Sequence, residues 1–68
     1  MRPLSDMLMY SEMGEDGEPV TVTLTVAEAI ARQRAAVASS LLARPNFQYG
    51  SDEEALEDFM VVHWAWWV

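Results

Sequence analysis

From Pro19 to Thr25 apolar and hydroxylated positions alternate, with Val20, Val22 and Leu24 on one side and Thr21, Thr23 and Thr25 on the other. Period-two alternation rich in β-branched residues predicts a half-buried strand. A second strand-like stretch, Met7 to Glu12, lies upstream, and Met13-Gly14-Glu15-Asp16-Gly17-Glu18 joins the two. Asp16-Gly17 supplies the positive φ that a tight hairpin turn needs, and Gly14 loosens the approach. Pro19 cannot donate to a ladder, which assigns it to the first position of its strand or to an edge. The pattern predicts a β-hairpin over residues 7–25, and a lone hairpin is unstable unless one face is covered.

The period changes after Thr25. Thr25-Val26-Ala27-Glu28 has the spacing of a capping box, in which a hydroxyl and a carboxylate answer orphan backbone donors. Alanine-rich sequence follows as far as Ala43, and Arg44-Pro45 stops it, because the residue before proline is pushed out of the helical region. The first predicted helix therefore covers residues 26–43, roughly 27 Å at 1.5 Å per residue. At about 100° per residue Val26, Ile30, Val37 and Leu41 form one stripe, with Ala27, Ala31, Ala38 and Leu42 beside it. Glu28 and Arg32 are spaced for an i,i+4 pair on the outer face. Arg34 falls near the middle of the apolar arc. Either its stem snorkels and its head reaches water, or it pairs with a carboxylate from the hairpin or from a partner chain.

Pro45 to Gly50 reads as a loop, and Ser51-Asp52-Glu53-Glu54 repeats the capping grammar. The second predicted helix covers residues 52–66, with Leu56, Phe59, Met60, His63 and Trp67 along one side. Its first turn is acidic, which suits the positive end of the helix dipole. Glu53–Glu57 and Glu54–Asp58 are like-charge i,i+4 pairs without a lysine to relieve them. From Phe59 onward the other side fills too, with Val61, Val62, Ala65 and Trp66, and a helix apolar all round must be buried all round. A strand from Val61 to Val68 is the alternative. The elements together predict a single α+β domain, an N-terminal hairpin followed by two helices (ββαα).

Composition narrows the function classes. The chain has 68 residues, 11 acidic side chains against four arginines, one histidine and no cysteine, for a formal charge of −7. Duplex nucleic acid demands cations to release counterions, and anionic membrane surfaces repel the same charge, so neither is an expected partner. The longest apolar stretch, Phe59 to Val68 counted through His63, falls short of the roughly 20 residues that span a bilayer, and the N-terminus offers no apolar signal core. Disulfides are impossible, and the lone His63 cannot complete a transition-metal site. Yet 51% of residues are apolar, too many for a disordered acidic tail. A chain this small buries only about 60% of its unfolded surface, which points to a core finished against another chain.

Catalysis finds no support. Ser39 and Ser40 lack nucleophile-elbow surroundings, the glycines are not spaced to cradle a phosphate, and the acidic turn does not follow the EF-hand pattern. No cofactor, metal or small-molecule substrate is expected. Trp64, Trp66 and Trp67 are the informative residues: three indoles within the last five positions carry several hundred Å² of apolar surface at a terminus. They either complete the core or form an aromatic interface, since tryptophan is enriched in binding hot spots. The candidate protein-binding residues are Trp64, Trp66, Trp67, His63, Arg34 and Phe59.

The Val26-Ala27-Glu28-Ala29-Ile30-Ala31-Arg32-Gln33 helix start together with Ser51-Asp52-Glu53-Glu54-Ala55-Leu56-Glu57-Asp58-Phe59-Met60-Val61-Val62-His63-Trp64-Ala65 resembles the small orphan proteins of tailed bacteriophages. The resemblance implies a setting, the cytoplasm of an infected bacterium or a virion, and no functional residues. The expected function is that of a non-enzymatic interaction protein that binds a host protein, a virion component or itself. The alternative is an acidic DNA-mimic-like inhibitor of a nucleic-acid-binding host protein, using Glu12, Glu15, Asp16, Glu18, Asp52, Glu53, Glu54, Glu57 and Asp58.

Overall fold

A computed structural model describes residues 1–39 and 48–68. It contains β1 (Met7–Met13), β2 (Pro19–Thr25), α1 (Val26–Ser39), α2 (Asp52–His63) and β3 (Trp66–Trp67). The hairpin forms as the alternation predicts, in antiparallel register from Met7 opposite Thr25 to Met13 opposite Pro19. Gly17 adopts φ 83°, its amide donates to the Gly14 carbonyl, and the Gly14 amide donates to Glu18 O. The Asp16 carboxylate accepts from the Glu18 amide at 3.0 Å.

One face of this hairpin is covered and the other is not. Leu8, Tyr10 and Leu24 point into the core with Val26, Ala29 and Ile30 of α1 and Ala55, Leu56 and Phe59 of α2. The inward row runs out toward the hairpin tip: Leu24 is buried, Val22 half-buried and Val20 exposed. Tyr10 meets Phe59 edge-on, with ring centroids 5.5 Å apart.

Both helix starts use the predicted residues with altered partners. The Thr25 hydroxyl accepts from the Glu28 amide and donates to the Glu28 carboxylate. The first-turn amides of Val26 and Ala27 donate to the carbonyls of Asp6 and Leu4, so the N-terminal segment completes the cap. Ser51 Oγ accepts from the Glu54 amide, while the Glu54 carboxylate reaches past it to the Gly50 amide.

Three expectations are corrected. The buried stripe of α1 is Val26, Ala29, Ile30 and Gln33, whereas Ala27, Ala31 and Ala38 are exposed. The stripe turns toward α2, and Gln33 tolerates burial because its amide donates to the Tyr49 hydroxyl at 2.8 Å. Arg32 directs its guanidinium to the Tyr10 hydroxyl, 3.2 Å away, instead of pairing with Glu28. Leu41, Leu42, the Arg44-Pro45 stop and the remainder of the predicted helix end lie outside the described residues.

The third correction concerns the C-terminus. The second helix does not run to residue 66; it ends at His63, and Trp64 takes the left-handed conformation at φ 53°, ψ 40°. The Trp64 amide donates to Val61 O and the Ala65 amide to Met60 O, the paired bonds of a Schellman stop. The chain then reverses, and β3 adds to β1 with Leu8 opposite Trp67 and Met9 opposite Trp66. The result is a three-stranded sheet of order β2-β1-β3, so the simple ββαα order gains a closing strand. Val61 and Val62, expected to be buried, are 73% and 60% exposed.

Candidate functional site

The reversal at Trp64 distributes the three indoles to three environments. Trp67 shares the inner face of the sheet with Leu8 and packs against the core. The Arg2 guanidinium carbon lies 4.0 Å from its ring centroid, a cation–π contact that covers it from the N-terminal side. Trp66 lies on the opposite face beside Met9, in a row continued by Thr23, and is 44% exposed. Trp64 is 87% exposed.

The other candidates are engaged within the fold. Phe59 is 1% exposed and central to the core. His63, half-buried at the end of α2, packs at a tilt against Phe59 at 4.3 Å and against Tyr10 at 4.8 Å between centroids. Arg34 pairs with Asp52 at 2.7 Å, so the carboxylate it meets in the fold comes from the start of α2 and not from the hairpin. That pair, with both side chains substantially open to solvent, ties α1 to the first turn of α2 and is worth well under about 1 kcal/mol. Of the three indoles, Trp64 and Trp66 present open surface.

Tyr49 and Gln33 form a further polar joint that composition does not flag. The Tyr49 hydroxyl accepts from Gln33 and donates to Asp58 Oδ2 at 2.6 Å. Desolvation, reinforced by the hydrogen bond to Asp58, raises the Tyr49 pKa above its ordinary value.

On the flank of α2 away from this joint, a groove of about 700 Å³ opens between α2, the N-terminal segment and β3. Leu56, Met60, Val61 and Trp67 line its apolar part, and Glu53 and Glu57 stand on its rim. No single segment announces it, because the lining comes from three separate stretches. Among the described residues no helix is long and apolar enough to cross a membrane. The chain matches no protein-family model, no curated protein and no solved structure.

Proposed function

We propose that this chain is a non-enzymatic interaction protein that binds another protein through its C-terminal aromatic segment, with Trp64 as the central contact. The observation that carries this reading is Trp64 itself. A left-handed helix stop favours glycine, and a bulky residue there is strained by roughly 1–2 kcal/mol. Trp64 gains no compensating burial, being 87% exposed, so neither backbone preference nor packing accounts for an indole at this position. Strain retained without a folding benefit is a mark of functional residues, and tryptophan is among the residues enriched in binding hot spots. Trp66 on the open sheet face and the exposed valines of α2 extend the apolar area around the C-terminal segment. We read its setting, on the resemblance to small phage proteins alone, as an infected bacterium or a virion.

The acidic-decoy reading draws less support. Of its nine carboxylates, Asp52 is committed to Arg34, Asp58 to Tyr49, Glu54 to Gly50 and Asp16 to its own turn.

Pull-down from bacterial lysate at low salt and at about 1 M salt, where the Debye length is about 3 Å, tests the reading. Partners that survive high salt and disappear with Trp64→Gly are expected. Capture only at low salt and unaffected by Trp64→Gly would overturn it in favour of the decoy.

A further inference from the structure

We propose that the groove between α2 and β3 docks a short segment of a protein partner in which an arginine or lysine lies next to an apolar side chain. The inference rests on the preceding reading only in taking protein as the ligand class; its surface is centred on α2 and Trp67, sharing Val61 at one edge with the aromatic segment but not Trp64.

The groove offers complementary chemistry to such a segment and to few others. Leu56, Met60 and Trp67 line an apolar trough of about 700 Å³, a volume typical of sites that bind discrete ligands. Val61 at its side is 73% exposed. Along the rim Glu53 and Glu57 stand one helical turn apart, a like-charge i,i+4 pair that destabilises the helix by a few tenths of a kcal/mol. The other carboxylates of α2 are each engaged: Asp52 with Arg34, Glu54 with the Gly50 amide and Asp58 with Tyr49. Glu53 and Glu57 have neither an ion pair nor a hydrogen bond among the described residues. A cation seated between them relieves the repulsion, and a net charge of −7 steers cations toward the molecule.

The chain already demonstrates half of this recognition internally. Arg2 lines the groove and holds its guanidinium 4.0 Å from the Trp67 ring centroid, so the trough accepts a planar cation against its indole. Arg2 is shared with Asp6, at 3.6 Å, and leaves the two rim glutamates unanswered. A second copy of the chain is a poor occupant, since it carries the same net charge of −7 and is repelled.

The test measures fluorescence anisotropy of a short, end-capped peptide of arginine and leucine against the full chain, with an arginine–serine and a glutamate–leucine peptide as comparisons. Saturable binding of the arginine–leucine peptide is expected. Glu53→Gln with Glu57→Gln should weaken it about tenfold, the sum of two partly exposed ion pairs. Val61→Arg should weaken it comparably by adding a cation at the mouth. These positions are exposed, and circular dichroism confirms that each variant is folded. Equal binding of the arginine–serine or glutamate–leucine peptide, an unchanged affinity in the double glutamine variant, or absence of saturation would each overturn the proposal. Trp64→Gly separates the two readings: it should leave peptide affinity intact while removing the partners captured through the aromatic segment.

Discussion

Trp67 stands directly opposite Leu8 in the β1–β3 ladder, whereas its neighbour Trp66 stands opposite Met9. Leu8 is fully buried under the helices, so this register fixes Trp67 as the core indole and leaves Trp66 on the open face. Trp67→Ala should therefore destabilise the domain by about 2–3 kcal/mol, somewhat less than loss of a fully buried tryptophan. In a domain of this size that lowers Tm by more than about 10 °C. Trp66→Ala should cost less than about 1.5 kcal/mol, because part of its surface is already in water. Thermal melts of the two variants distinguish them, and equal losses would contradict the register.

The hairpin turn makes a sharper comparison between two glycines. A Cβ at Gly17 meets nothing within 4 Å, but φ is +83°, so Gly17→Ala should cost about 1 kcal/mol through backbone strain alone. Gly17→Asn should recover much of that, since asparagine tolerates the left-handed region. At Gly14 a Cβ would lie 3.0 Å from both Glu18 O and Val20 Cγ2. Gly14→Ala should consequently destabilise by a steric route that asparagine cannot rescue. Urea denaturation of the three variants reads the difference.

The elements legible in the sequence are those defined by neighbours within a few residues. Alternation and Asp16-Gly17 specify the hairpin, and Thr25 and Ser51 mark both helix starts, because strand period and capping are local physics. The end of α2 was not legible: its stop is a Schellman motif with Trp64 where glycine is usual, and no proline follows. Nor does β3 exist without the exposed edge of β1, more than fifty residues upstream by the pairing of Leu8 with Trp67. Burial of Gln33 depends likewise on Tyr49, 16 residues away. For the candidate site, the abundance of terminal tryptophan was plain, but which indole is solvated follows only from the reversal at Trp64. The groove escapes sequence reading altogether, since Arg2, Glu57 and Trp67 become neighbours only when three segments meet.

The joint between α1 and α2 gives the stability a dependence on alkaline pH. Tyr49 has its pKa raised in the folded state by desolvation and by its hydrogen bond to Asp58. The neutral phenol is thus favoured by folding, and the stabilisation is complete below the unfolded value near 10. It is lost as pH rises from there through the raised folded value, because the unfolded chain releases the proton first. Denaturant midpoints should fall above about pH 10 in the wild type. Tyr49→Phe should lower stability at neutral pH and flatten this decline, and an unchanged alkaline slope would show that Tyr49 is not its source.

At Trp64 the backbone and the side chain make opposite demands, which allows stability and binding to be pulled apart. Glycine relieves the roughly 1–2 kcal/mol strain of the left-handed conformation and concedes about 0.5–1 kcal/mol in unfolded-state entropy. With the indole 87% exposed, little packing is lost. Trp64→Gly should leave stability unchanged or raise it by up to about 1 kcal/mol. Trp64→Ala, which keeps the strain, should be within about 0.5 kcal/mol of wild type. Both should abolish capture of the high-salt partner. A loss near 3 kcal/mol in either variant would mean that the indole is packed, and retained capture would mean that the interface lies elsewhere.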